Sequence, residues 1–279
     1  MRFFKVKNLG ELKKIVKRSK EKIYFLAGCT DFMVYYKDGM IEEDATFIDI
    51  SEIKELKGIK EYKDRIEIGS LTTFSEIIED KIIKKYAPVL VEASKTIGSK
   101  QIRNRATIGG NIANSSPAGD SIPALYVLGS FLKLIKGERR RKVKIEEFFI
   151  GVKKNILENG EIIERIIIPK KKINFYSFKK IGPRNALSIS KVSCAISGYI
   201  KDRVVKDISI SFGSVGPTVI RCREAEEFLI GKRVSPSIIS KAKEKALKVI
   251  SPITDFRSSG MYRFHTAGVL FERILKEAI

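Results

Sequence analysis

Two stretches of the chain put glycine where bare backbone could do chemistry: LAGCTD at residues 26–31 and TIGGNIANSSPAGD at residues 107–120. In both, an apolar or β-branched run delivers the chain to glycine, and small or hydroxyl-bearing residues follow. Glycine reaches positive φ at little cost and has no Cβ to hold a ligand away. Successive N–H groups in such a turn form a concave anion site, favoured further where a helix starts just beyond it. Two such loops could clamp a pyrophosphate from both sides, and an acid, Asp120, stands ten residues past Gly110. Either loop alone is equally compatible with an ordinary turn. Neither carries GxGxxG or GxxxxGK(S/T), which argues against a Rossmann or P-loop nucleotide site.

Other reactive residues are few. Cys29, Cys194 and Cys222 are far apart and form no CxxC pair, so they cannot supply four thiolates to an iron–sulfur cluster or a structural zinc. His265 is the single histidine, and any histidine-dependent triad would rest on it. It sits in MYRFHTAGVLFERIL, an amphipathic helical pattern in which a structural or surface role is the simpler reading.

The elements that must position these loops are legible in outline. ELKKIVKRS has helical periodicity, and KIYFLAG is a short apolar strand that stops at Gly28. TDFMVYYKDGM then reads as a short helix with Asp31 in its first turn. ATFIDI is a strand, RIEIGSLTTFSEIIED a strand, loop and Thr- or Ser-capped helix, and residues 87–96 a longer helix that leads into the second glycine loop. Beyond it, ALYVLGSFLKLIKG continues as helix or strand, and RRKVKI and EIIERIIIP are strands, the latter ending at Pro169. After the lysines at 170–172, FYSFKKI and KVSCAISGYIKDRVVKDISISFGSV, with a turn at Asp202, read as antiparallel strands, and the last 60 or so residues as mostly helix. The fold class expected is α+β: an α/β first part over 1–170 and a smaller part of antiparallel sheet plus helices over 171–279.

Composition bounds the function. The 279 residues, 43% apolar, support a sizeable core, and no run approaches the roughly 18 apolar residues of a membrane span. The start MRFFKVKNLGELKK lacks the apolar middle of a signal peptide, so a cytoplasmic location is expected. A formal charge of +21 raises nucleic acid as a partner, but no recognition motif accompanies it, and Lys scattered beside Glu and Ile is common in heat-adapted proteins. The densest basic run, KGERRRKVK at 136–144, reads as a hairpin turned by Gly137 with solvated Lys and Arg.

The chain resembles the FAD-binding medium subunits of the molybdenum hydroxylases, the xanthine dehydrogenase and carbon monoxide dehydrogenase group. LAGCTDFMVYYK stands where that family has an Ala-Gly-Gly-Thr-Asp-like loop, and SKQIRNRATIGGNIANSSPAGDSIPAL matches its longest signature. The likeness continues in order through KIEEFFIGVKKNILENGEIIERIIIP, FYSFKKIGPRNALSISKVSCAI, SFGSVGPTVIRCREAEEFL and DFRSSGMYRFHTAGVLFERIL. It implies a two-part FAD-binding domain of the type shared with the vanillyl-alcohol oxidase fold, followed by the C-terminal domain of carbon monoxide dehydrogenase medium subunits.

It also implies a pyrophosphate loop at Leu26, Ala27, Gly28, Cys29, Thr30 and Asp31, and a second at Thr107, Ile108, Gly109, Gly110 and Asn111. Asp120 would bind the ribityl or ribose portion, and Ile97, Ile163 and Lys179 fall where the family contacts the nucleotide or the ring. As residues alone, Ile97 and Ile163 equally suit a core, and Lys179 a solvated strand position. Cys29 departs from the small residue usual there; a thiol raises a covalent flavin link, but the family binds FAD noncovalently, and a small filler is the simpler account.

The function implied is electron relay. Molybdopterin and 2Fe-2S clusters would lie in partner subunits, a large and a small one, in a dimer of heterotrimers with NAD or another acceptor. The alternatives are a basic nucleic-acid-binding protein and a free-standing FAD reductase.

Overall fold

The computed structural model describes residues 2–42, 44–184 and 187–279. Its first part comprises β1 (Arg2–Lys5), α1 (Leu9–Arg18), β2 (Ile23–Leu26), α2 (Phe32–Lys37) and β3 (Thr46–Asp49). The strands form a parallel sheet in the order β1-β3-β2. Asn8 caps α1 by accepting from the Glu11 N–H at 2.9 Å, and Leu12 joins Ile48 and Ile53 in the core beneath. Tyr24, Phe32 and Phe47 form an aromatic cluster that seats α2 on the sheet.

The second part holds β4 (Ile59–Glu61), β5 (Arg65–Gly69), α3 (Phe74–Glu79), α4 (Lys81–Tyr86), α5 (Pro88–Lys95), α6 (Lys100–Arg103), α7 (Ile108–Asn114), α8 (Ser121–Val127), β6 (Phe131–Lys136), β7 (Arg139–Lys144), β8 (Phe149–Gly151), β9 (Lys154–Asn155) and β10 (Ile162–Pro169). Five strands pair antiparallel in the order β4-β5-β10-β6-β7. Strand β10, isoleucines interrupted by Glu164 and Arg165, lies at the centre and is buried from Ile162 to Ile168. The stretch ALYVLGSFLKLIKG is helix and strand in turn: α8 ends, Gly129 turns the chain at φ 64°, and β6 begins. Gly137, at φ 58°, turns the β6–β7 hairpin as expected. The arginines of β7 are exposed at 139 and 140 and half-buried at 141, and glutamates oppose them. Arg141 meets Glu161 at 2.6 Å, Arg140 meets Glu164 at 3.2 Å, and Arg139 pairs with Glu158.

The third part is β11 (Phe175–Ile181), β12 (Val192–Lys201), β13 (Val204–Gly213), β14 (Ile220–Arg221), α9 (Arg223–Leu229), α10 (Pro236–Leu247) and α11 (Gly260–Lys276). Its four strands are antiparallel in sequence order, and Asp202 and Arg203, both at positive φ, make the two-residue turn between β12 and β13. One face carries Val192, Cys194, Ile196, Ile210 and Phe212 against the three helices. The other carries small residues, with Ser193 opposite Gly213, Ala195 opposite Ser211 and Ser197 opposite Ser209. Helix α8 lies against that small face. Ser211 Oγ donates to the Pro123 carbonyl at 2.9 Å, and a Cβ on Gly213 would fall 3.0 Å from Pro123 Cγ. Every residue of α8 is buried, as a helix apolar all round must be. The α+β class and the two-part N-terminal arrangement are those expected from the sequence.

Candidate functional site

The two glycine loops meet. Strand β2 ends at Leu26, and Ala27 and Gly28 then run beside Arg105 and Ala106; a Cβ on Gly28 would fall 2.0 Å from the Arg105 carbonyl oxygen. Glycine at 28 is therefore a condition for the loops to touch. Cys29 next takes φ 59°, the left-handed region, and the chain enters α2. Among the described residues, no protein acceptor takes the N–H groups of Gly28, Cys29, Thr30 or Asp31. A left-handed residue within a row of free N–H groups is the geometry of an anion nest.

The second loop is built differently. The Ile108 N–H donates to the Thr72 carbonyl at 3.0 Å and the Gly109 N–H to the Ser70 carbonyl at 2.8 Å. The Gly110 N–H donates to Thr107 Oγ1 at 3.1 Å, and the Asn111 N–H to the Thr107 carbonyl at 3.0 Å. Gly109 is buried, and its Cβ would fall 2.5 Å from Ser70 Cβ, so packing against Ser70 requires glycine there. Gly110 is exposed, and its Cβ would meet only Thr107 Oγ1, at 3.0 Å. Asn111 accepts from Ser121 Oγ at 2.7 Å, which ties the loop to α8. Gly109 thus explains a fit between segments, and the N–H groups of both glycines are already used.

Between the loops lies a cleft of about 290 Å³, lined by Ala27, Gly28 and Thr107 together with Lys57, Thr73 and Arg105. Glu52 also borders it. Tyr35 Oη donates to Asn114 Oδ1 at 3.1 Å, holding α2 to α7 beyond the cleft. Burial and the Asp49 carboxylate push the Cys29 thiol up from its ordinary value, with Arg105 acting the other way. The protonated thiol is a poor nucleophile, consistent with a filler role.

Asp120 is 6% exposed and fully engaged. Its Oδ1 accepts from Ser190 Oγ at 2.5 Å, and its Oδ2 from Lys180 Nζ at 2.6 Å and Thr96 Oγ1 at 3.2 Å. Burial pushes the carboxyl pKa up, and Lys180 and the two hydroxyls oppose that shift. Lys180 Nζ also donates to the carbonyls of Thr96 and Ser188, at 2.9 and 3.0 Å. The network binds the end of α5, the start of α8 and the C-terminal sheet at one point.

The remaining expected positions lie apart from the cleft. Ile163 is in the core on β10, opposite Leu134. Ile97 packs half-buried against the same core, and its carbonyl accepts from Arg103 Nη1 at 3.0 Å. Lys179 pairs with Glu277 at 2.6 Å, on the opposite face of β11 from Lys180. Lys57, Arg105, Thr96, Lys180 and Ser190 were not singled out from sequence. Phe178 and Lys180 share the face of β11 turned to the N-terminal core, while Lys179 shares the other with Phe175 and Ile181, so alternation by itself does not separate the two lysines.

The model of the FAD binding domain in molybdopterin dehydrogenase matches residues 1–171, and that of the CO dehydrogenase flavoprotein C-terminal domain matches residues 177–278. The chain belongs to this family of FAD-binding medium subunits. It is 31% identical over 230 residues to the glyceraldehyde dehydrogenase medium chain of Sulfolobus acidocaldarius, covering 82% of each chain. It is 30% identical over 258 residues to the xanthine dehydrogenase FAD-binding subunit of Escherichia coli O157:H7, covering 91% of this chain and 88% of that one. A solved carbon monoxide dehydrogenase from Hydrogenophaga pseudoflava superposes with a TM-score of 0.94 at 27% identity, over 100% of this chain and 96% of that one.

As a family member, the chain is an oxidoreductase subunit whose cofactor is FAD. The residues present fit that group. Four consecutive unpaired N–H donors at 28–31, beside the cations Lys57 and Arg105, suit a diphosphate. The cleft volume is at the low end of ligand pockets. Among the described residues, no helix is long and apolar enough to cross a membrane.

Proposed function

We propose that the chain relays electrons within a molybdenum hydroxylase assembly, from 2Fe-2S clusters of a small subunit to NAD or another acceptor, while a large molybdopterin subunit oxidises the substrate. Bound FAD supplies the redox chemistry, accepting electrons singly and releasing them in pairs. The observation that best supports the reading is the row of free N–H groups at Gly28–Asp31 next to Arg105 and Lys57. In this reading Leu26 to Asp31 cradle the pyrophosphate noncovalently, and Arg105 and Lys57 balance its charge. Thr107 borders the cradle on the far side, and Gly109, Gly110 and Asn111 fix the second loop at the distance the cradle needs.

Asp120 is held by Lys180, Ser190 and Thr96 in one orientation, and so acts at the sugar side as a fixed wall more than as a free acceptor. Ile97 and Ile163 back the site through the core, and Lys179 lies outside it, paired to Glu277. Residues 1–170 and 171–279 are the two functional units, working in the cytoplasm as part of a dimer of heterotrimers. The discriminating experiment is titration of apoprotein with FAD and FMN. FAD should bind at least a hundredfold more tightly, because FMN has no pyrophosphate for the cradle; equal affinity would remove the basis of the reading.

A further inference from the structure

Outside the cofactor cleft, the surface concentrates large apolar side chains in one short segment. Within residues 253–264, Ile253 is 66% exposed, Phe256 90%, Met261 84%, Tyr262 45% and Phe264 42%. A patch of this kind marks an interaction site on a folded protein. The segment is also held rigidly. Arg263 is 4% exposed and donates to the carbonyls of Lys191 and Ser214 at 2.9 and 3.1 Å, while its Nη2 grips Asp255 Oδ1 at 2.8 Å. Asp255 Oδ1 also accepts the N–H groups of Arg257 and Ser258, closing the turn that carries Phe256 at its tip. The Gly260 N–H donates to Thr254 Oγ1, and a Cβ there would fall 2.6 Å from the Pro252 carbonyl. An aromatic presented on a braced turn loses little freedom on binding, as an interface anchor requires.

The charge around the patch selects the occupant. Arg257 lies over the Phe256 ring at 4.5 Å, and Lys191 lies over the Tyr262 ring at 5.4 Å. Arg273 and His265 line a cleft of about 300 Å³ beside Tyr262, floored by Ile181, Val269 and Leu270. The nearby carboxylates are outnumbered: Asp255 lies between two cations, Arg263 at 2.8 Å and Arg257 at 3.6 Å, and Glu272 is engaged by Lys243 and Lys276. A second copy would bring the same cations to a two-fold contact, on a chain already at +21.

We infer that residues 253–264, with the adjoining cleft on α11, are the docking surface for an acidic protein subunit of the same assembly, with Phe256 and Met261 as its apolar anchors. The inference rests on the assembly reading above. The test uses the full-length flavin-loaded chain purified from its native source. Wild type should carry an acidic subunit, and hydrogen exchange across 253–264 should be slower in the complex than in the separated chain. Phe256→Ala with Met261→Ala should weaken recapture of that purified subunit at least tenfold, at unchanged flavin content and melting temperature. Arg257→Glu should weaken it as well, and added salt should weaken the wild-type complex.

Undiminished recapture by the double variant would overturn the inference, as would protection confined to other surfaces or purification of the native chain without a protein partner. So would a patch-dependent dimer of this chain, or patch-dependent binding to anionic lipid vesicles or to nucleic acid. Flavin content is read separately, so absence of FAD would break the functional reading and leave the docking result interpretable.

Discussion

The loops at 26–31 and 107–111 look alike as sequence and differ as structure. Both have glycine forced by a neighbouring backbone, Gly28 by the Arg105 carbonyl and Gly109 by Ser70. In the first, the N–H groups that follow the glycine are left free; in the second, those of Ile108 to Asn111 are all taken within the protein. A glycine turn therefore reports close approach, and only the destination of its N–H groups tells whether it can hold an anion. On the proposed reading, the first loop is the cradle and the second is the frame.

If the region after the second loop is frame, its buried pair should dominate stability. The side chains of Lys180 and Asp120 are 10% and 7% exposed, and Lys180→Met alone leaves a buried carboxylate without its cation. Chemical denaturation should show a loss of about 3–5 kcal/mol, and Asp120→Leu with Lys180→Met should cost clearly less than the sum of the single changes. Additive losses would mean that the pair does not act as a unit.

A smaller effect separates the two adjacent glycines. Gly109→Ala must displace Ser70 and should cost about 1–3 kcal/mol by overpacking, seen as a lower melting temperature. Gly110→Ala meets only a hydroxyl that can rotate, and should leave both melting temperature and FAD affinity close to wild type. If Gly110→Ala instead abolished FAD binding in a fully folded protein, the second loop would be part of the cradle.

The smallest effect is expected at Cys29. Glycine there removes the left-handed penalty but adds unfolded-state freedom, so Cys29→Gly should shift stability by less than about 1 kcal/mol and keep FAD bound. Because its pKa is raised, the wild-type thiol should react with iodoacetamide at pH 7 more slowly than an unburied cysteine. Denaturing the holoprotein should release all of its flavin. Flavin retained on the unfolded chain would show the covalent link that this protonated thiol argues against.

Much of the frame was legible from local pattern. The capped helix α1, the run of α5, the turns at Gly137 and Asp202 and the central strand β10 all follow from periodicity and turn chemistry. Lys180 was not legible, because β11 packs on both faces, against the N-terminal core at Phe178 and the C-terminal core at Phe175 and Ile181. In such a strand neither lysine is marked as solvent-facing, and the choice between Lys179 and Lys180 depends on tertiary packing. The pairing of β7 with glutamates and the contact of Gly28 with Arg105 are likewise long-range, and no window of sequence contains both partners.

The most direct test of the distinction between cradle and frame is amide hydrogen exchange on the apoprotein and the FAD-loaded protein. The amides of Gly28 to Asp31 should exchange freely in the apoprotein and become protected when FAD binds, while those of Ile108 to Asn111 should be protected in both. Protection gained on FAD binding at Ile108 to Asn111 and not at Gly28 to Asp31 would contradict the assignment.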